Sequence, residues 1–181
     1  MNRNSKRVAI VLAALRIAKK DGVEKLTLDA AAQAAGVSKG GLLHHFPNKD
    51  ELIKAMIEQA ADEFDALVAA KAAGTETAAD PGRWSRAYLE ATLEENRQET
   101  GLSTALALAL FANPELLAKL QSQYAGWQRH LEQDGIDPVD ATIVRLAVDG
   151  LWLAELFGLG TLAPALRQQV IGKLQSMTEQ G

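Results

Sequence analysis

Residues 27 to 46 read Thr27-Leu-Asp-Ala-Ala-Ala-Gln-Ala-Ala-Gly36-Val-Ser38-Lys-Gly-Gly-Leu-Leu-His-His-Phe46. Thr27 is a good N-cap for a helix over 28–35, Gly36 is placed to stop it, and Ser38 caps a second, very short helix running to about His45. Helix, glycine-containing turn and helix in that order spell a helix-turn-helix. Ala32 is small where two helices must cross closely, Gly36 can take the positive φ of the turn, and Val37 and Leu42 can fill the space between the helices. The second helix begins at Ser38, so its first N–H groups and the positive end of its dipole are offered to a phosphate. An ordinary helical hairpin satisfies the same pattern, and these residues by themselves leave both readings open.

Charge is divided around this stretch. Residues 1–50 hold nine Lys/Arg against four Asp/Glu, net +5, while 51–181 hold ten against nineteen, net −9, giving the −4 of all 181 residues. A basic head on an acidic body fits a polyanionic partner for the head alone; a solvated basic helix is the bland alternative. With 48% hydrophobic and 23% charged residues the chain can bury a core as one domain, or as a small one joined to a larger, which excludes disorder and collagen-like repeats. No apolar run approaches the roughly 18 residues of a membrane span, and residues 1–20 offer no uninterrupted signal-peptide core, so the expected compartment is the cytoplasm. Zero cysteines exclude disulfides, thiol catalysis, thiolate metal sites and cysteine redox sensing.

Outward from the motif almost every segment has helical periodicity. Val8, Val11, Leu12, Leu15 and Ala18 mark a helix over 6–20, and Asn48 caps a long one over 49–71 whose stripe is Leu52, Met56, Ile57, Ala60, Phe64 and Leu67. Residues 72–80 are the expected loop. Asp80-Pro81, Asn113-Pro114 and Asp137-Pro138 each carry the start signal of a cap followed by proline, giving helices near 81–99, 114–134 and 138–158, with others at 101–112 and about 163–178. No run of alternating β-branched residues survives, so the expected class is all-α, about nine helices and no sheet.

The run Val37-Ser38-Lys39-Gly40-Gly41-Leu42-Leu43-His44-His45-Phe46-Pro47-Asn48-Lys49-Asp50-Glu51-Leu52 strongly resembles the TetR (tetracycline-repressor) family of bacterial transcriptional regulators. The resemblance covers residues 6–57 in motif detail and the whole chain in length and helix count. It implies a DNA-binding domain over 1–48 and an effector-binding and dimerisation domain over 49–181. It further implies a homodimer whose two heads enter successive major grooves of a palindromic double-stranded operator, and a repressor released by a small effector. By position, Thr27, Ser38, Lys39, His45 and Lys49 would lie on the phosphates, and Lys39, Gly40, Gly41 and His44 nearest the base edges. Two departures stand out: Leu43 occupies a position the family usually gives to tyrosine, and Ala31 one usually given to a larger aliphatic. Neighbouring His44 or His45 is a candidate to replace the lost hydroxyl, and the two glycines leave few side chains for direct readout.

Other constellations carry less. His44 and His45 project about 100 degrees apart on a helix and lack a carboxylate at four-residue spacing, so no metal is expected. Gly158-Leu-Gly160-Thr-Leu-Ala163 matches a dinucleotide fingerprint in letters, but a helical period precedes it and no β-α-β unit fits the remaining residues. No nucleophile elbow, P-loop or acid pair is present, so an enzyme is not expected and no cofactor is implied. The competing class is a helical ligand-binding or scaffolding protein that does not touch DNA. Trp84, Tyr88, Phe111, Trp127, Asp149 and Trp152 are candidate effector residues, since tryptophans and acids on the body helices suit a small apolar effector, a cation among the options. Arg145 and Asp149, four apart, are either a surface pair or pocket anchors. The helix at 138–158 is apolar on two sides: Val139, Ile143, Leu146, Gly150, Leu153 and Phe157 form one stripe, Val144, Ala147, Leu151 and Ala154 another. The first stripe, with Leu166, Val170 and Leu174 of the last helix, is the expected dimer interface.

Overall fold

The computed structural model describes residues 3–74, 80–95 and 104–179. The described residues form nine α-helices and one 3-10 turn, with no strand. In chain order these are α1 (Arg3–Asp21), the 3-10 turn Val23–Lys25, α2 (Leu28–Ala34), α3 (Lys39–Leu43), α4 (Lys49–Ala73), α5 (Arg83–Glu95), α6 (Thr104–Ala112), α7 (Pro114–Glu132), α8 (Pro138–Phe157) and α9 (Pro164–Thr178). The all-α architecture is the one expected; the 3-10 turn was not. None of the described helices is long and apolar enough to cross a membrane.

By packing, the chain falls into two compact units, Met1–Asp62 with Arg97–Ala118, and Glu63–Asn96 with Lys119–Gly181. The division at residue 48 follows the motif, whereas these bounds follow contact, and α4 contributes residues to both units. In the first unit α1 packs on α2 and on the 3-10 turn, and α2 packs on α3. Ile10, Ala14, Leu15, Leu26, Ala31, Leu42, Phe46, Leu52 and Met56 are buried there, so the chain meets the small volume of Ala31 by closing over it completely. Lys54 of α4 reaches Glu115 of α7 at 2.6 Å in the same unit. In the second unit α5, α8 and α9 pack against one another around Tyr88, Leu89, Trp127, Leu131, Val144, Val148 and Leu174.

Several boundaries moved for identifiable reasons. α3 stops at Leu43 rather than His45, because the N–H groups of His45 and Phe46 both turn back to the Leu42 carbonyl, at 2.8 and 2.9 Å. The long helix continues past 71 to Ala73; residues 75–79 of the expected loop lie outside the described residues, as do the expected helical positions 96–99 and 101–103. α5 begins at Arg83 and not at Pro81, since Gly82 takes φ +76° and a Cβ there would lie 1.9 Å from the Thr178 carbonyl oxygen. Its cap is not Asp80. The buried Asp134 carboxylate, from beyond the end of α7, accepts from the N–H groups of Trp84 and Ser85 at 2.9 and 2.8 Å. Asn113 and Asp137 do cap α7 and α8 as their prolines announce. Gly158 ends α8 in the left-handed region, which accounts for the glycines of the false dinucleotide motif.

Removing the Asp134 carboxylate takes the acceptor from one buried donor, the Ser85 N–H, and one half-buried donor, the Trp84 N–H, at the start of α5. Asp134→Ala is therefore expected to destabilise the protein by about 2 kcal/mol, read as a lower urea midpoint. An unchanged midpoint would show that α5 starts without it.

Candidate functional site

The head is built on two short capped helices. Thr27 Oγ1 accepts from the Ala30 N–H at 3.0 Å and Ser38 Oγ from the Gly41 N–H at 3.1 Å. Each hydroxyl uses a lone pair in capping and keeps its proton to donate outward. Gly36 takes φ +67° in the turn between them, and Leu42, fully buried, fixes the short α3 from below. Thr27, Ser38, Lys39, Gly40, Gly41 and His44 are all exposed, and His45 is half-buried. Ser38, Gly41 and His45 line one cleft of about 250 Å³ with Lys6, Ala35, Gly36 and Val37. Lys6 is a cation of this cleft that the motif did not single out.

Two lysines are less free than the sequence suggests. Lys39 Nζ donates to Asp29 on α2 at 3.0 Å; both side chains are more than half exposed, so water and a competing phosphate can separate the pair at little cost. Lys49 Nζ donates to the Val23 carbonyl at 3.0 Å in a half-buried setting, tying the first turn of α4 to the 3-10 turn. One of its three N–H bonds is thus spent inside the head. Arg7 lies 5.2 Å over the Phe46 ring, and the His44 and His45 rings meet edge-on at 5.6 Å.

In the second unit the structure brings together some of the candidate effector residues and separates others. Trp127 is the hub: Phe64, Tyr88 and Tyr124 surround it at ring distances of 5.1, 5.5 and 4.9 Å. Its indole N–H donates to Asp65 at 2.8 Å. Tyr88 donates its hydroxyl to Asp149 at 2.7 Å, Arg145 holds the other Asp149 oxygen at 3.1 Å, and Arg145 Nε reaches Gln128 at 2.7 Å. The Arg145–Asp149 pair is accordingly no plain surface pair, its side chains being 16% and 20% exposed. Burial, above all, pushes the Tyr88 hydroxyl well above the usual tyrosine range. Burial also raises Asp149, against the pull of Tyr88 and Arg145, which favour its charged form.

Trp84 lies outside this ring cluster, stacked on His130 at 4.1 Å. Phe111 is exposed and belongs to the other compact unit, and Trp152 is half-buried on α8. Phe64 and Asp65 were missed because a stripe on α4 reads as core; only the fold shows an aromatic and an acid there facing the same tryptophan.

The first apolar stripe of α8 stays largely outside, but the second is shifted: Ala147 and Ala154 are only half-buried, and Ala141 and Val148 join Val144 and Leu151 in the core instead. Ala141, Val144, Val148 and Leu151 are buried in their own unit, while Val139, Ile143, Leu146 and Leu153 remain 65%, 44%, 56% and 37% exposed. Gly150 is exposed among them and a Cβ there would meet nothing within 4 Å; Phe157 is half-buried at the end of the row. On α9 Leu166 is exposed, but Leu174 is buried in the chain's own core with Val170 packed against it. Leu174 therefore belongs to the core and Val170 packs beside it, because this part of the α9 stripe faces α5 and α8, while Leu166 of the same stripe stays outside.

Residues 82–179 match a family described as "Tetracyclin repressor-like, C-terminal domain", and residues 10–56 match "Bacterial regulatory proteins, tetR family". The chain belongs to the TetR family. The HTH-type transcriptional regulator TtgR of Pseudomonas putida is 39% identical over 75 residues, 41% of this chain and 35% of that protein. The chain thus matches about a third of the length of this relative. A transcriptional regulator from Rhodococcus sp. Rha1 shares the fold, with a TM-score of 0.70 and 23% identity over 95% of this chain and 93% of that one. The multidrug binding protein EbrR complexed with malachite green has a TM-score of 0.58 and 26% identity over 95% and 97% of the two chains. TetR-family motif positions account for the capped α2–α3 pair, while the Lys39–Asp29 and Lys49–Val23 contacts are visible only in the fold.

Lys49→Ala is expected to lower both the thermal midpoint and duplex affinity, the first by losing the bond to Val23 and the second by losing a cation. A variant that melts like the parent would show that the Val23 contact holds nothing. Tyr88 also makes alkaline stability testable. With its folded-state pKa above the open-chain value of 10.0, its contribution is intact below that pH and lost as pH rises past it. Tyr88→Phe should flatten the decline in stability above pH 10; an identical slope in both proteins would contradict the shift.

Proposed function

We propose that this chain is a DNA-binding transcriptional repressor that grips a palindromic double-stranded operator as a homodimer and is released by a small apolar effector of cationic character. The observation that carries the reading is the head: on a segment of net charge +5, two N-capped helices expose Thr27, Ser38, Lys39, Gly40, Gly41 and His44 together. Phosphates demand such hydroxyls and lysines for position, and base edges demand exposed groups on the second helix for specificity. Lys49 serves a phosphate with the N–H bonds that Val23 leaves, and His45 serves one from the cleft.

A recognition helix as short as α3 reads few base pairs, so selectivity requires two heads. The exposed apolar row of α8, with Leu166 of α9, supports a second copy as its cover, since a monomer gains nothing from keeping four large apolar side chains in water. The effector assignment rests on the ring cluster around Trp127 and on the two acids Asp65 and Asp149 that hold its polar edges. Aromatic faces and carboxylates together favour an apolar cation, and the similarly folded EbrR is a multidrug binding protein complexed with malachite green. Helix α4 places Leu52 and Met56 in the core of the head unit and Val68 in the core of the body unit. A ligand that binds one arrangement of α4 better than another shifts the population of heads set for the operator, to the extent of that difference in affinity. The repressor assignment draws on the family's tetracycline-repressor-like body.

Selection from a random duplex library with the full chain should return an inverted repeat bound by two copies, with affinity falling steeply as salt rises. Enrichment of nothing at low salt would leave the ligand-binding or scaffolding reading in its place. Leu146→Glu together with Leu153→Glu should give a folded monomer in sedimentation equilibrium; a folded dimer would put the interface elsewhere.

A further inference from the structure

We infer that Leu43 is a specificity-determining residue that reads the C5-methyl group of a thymine in each operator half-site. The inference rests on the DNA-binding reading of the head. Adjacent leucines in α3 behave oppositely: Leu42 is fully buried and supplies the packing, whereas Leu43 is 39% exposed. Leu43 lies four residues after Lys39 and three after Gly40, so the three share one helix face. On that face Gly40 contributes no side chain, and a Cβ added to it would meet nothing within 4 Å. Packing within the chain therefore does not require glycine there, although glycine weakens a helix of only five residues. An open backbone at Gly40 does let α3 approach a duplex closely, and close approach brings the side chain one turn further on to the depth of the base edges.

Of the side chains on this face, Lys39 reaches sideways to Asp29 at 3.0 Å or, released from that exposed pair, to a phosphate. Leu43 can neither donate nor accept a hydrogen bond, so it has nothing to offer guanine, cytosine or a phosphate oxygen. The one apolar group that base pairs present in the major groove is the thymine methyl. Contact between the two removes both from water, and the net charge of +5 on residues 1–50 brings the head to the duplex in the first place.

The test replaces each thymine of the selected operator by deoxyuridine, one symmetric pair at a time, which deletes the methyl and leaves every hydrogen-bonding group. For the full-length parent chain one pair should weaken binding about threefold to tenfold per half-site. Leu43→Ala should lose a similar factor on the thymine duplex and be indifferent to uracil at that position. The inference is overturned if the parent tolerates uracil at every position, if Leu43→Ala remains equally sensitive, or if the selected half-site contains no thymine. Failure to select any duplex sinks the DNA-binding reading itself, a different result from methyl-indifferent binding. The parent's uracil series stands even where the variant folds poorly.

Discussion

Helix α8 must satisfy two environments at once. Its inner row, Ala141, Val144, Val148 and Leu151, is buried against α5 and α9, and this contact organises the body unit. Its outer row, Val139, Ile143, Leu146 and Leu153, has the same chemistry and stays exposed. Between the rows lies the polar seam of Arg145 and Asp149, which ties α8 to Tyr88 on α5 and to Gln128 on α7. That seam fixes the rotation of α8, because a helix apolar on two sides could otherwise roll either face inward; burying the wrong row would strand Arg145 and Asp149 without these partners. The account of two heads on one duplex depends on this choice of face.

The head solves a different problem, which is to hold a five-residue helix with two glycines in place. Such a segment has almost no intrinsic helical stability. Order is imposed from outside: Ser38 caps its start, Leu42 anchors its middle, and the N–H groups of His45 and Phe46 close its end on a single carbonyl. Lys49 then clasps the 3-10 turn, so the start of α4 is secured to the side of the head opposite in sequence to α3. Leu43 and Gly40 stay exposed on α3 and Lys39 is held there only by a solvent-exposed pair with Asp29, so this surface can be specialised for a partner.

The helices were largely legible because they obey local rules: Thr27, Ser38, Asn113 and Asp137 cap where expected, and the outer row of α8 is written in its spacing, whereas its inner row takes Ala141 and Val148 in place of the expected Ala147 and Ala154. The errors share one cause, which is that partners distant in sequence overrule local signals. Asp80-Pro81 is a sound start signal, yet Asp134 caps α5 and Thr178 forbids a side chain at Gly82. Leu174 has the periodicity of an interface residue and is buried in its own core, because periodicity shows that a face is apolar and not what covers it. Among the site residues, Trp84 and Phe111 were grouped with Trp127 by chemistry alone, while Phe64 and Asp65, which do meet it, come from a helix whose stripe looked like ordinary core. The family motif located the head but could not show that Asp29 and Val23 already engage two of its lysines.

Spacing between half-sites tests the central claim most directly. Two heads carried by one dimer must meet the same face of the duplex, roughly 34 Å apart. Inserting about five base pairs between the half-sites of the selected operator moves them to opposite faces while leaving every base contact intact. The account predicts that fluorescence anisotropy then detects only the weak, salt-sensitive binding given by a random duplex. Affinity unchanged by the insertion would contradict it, because the heads would then be acting independently.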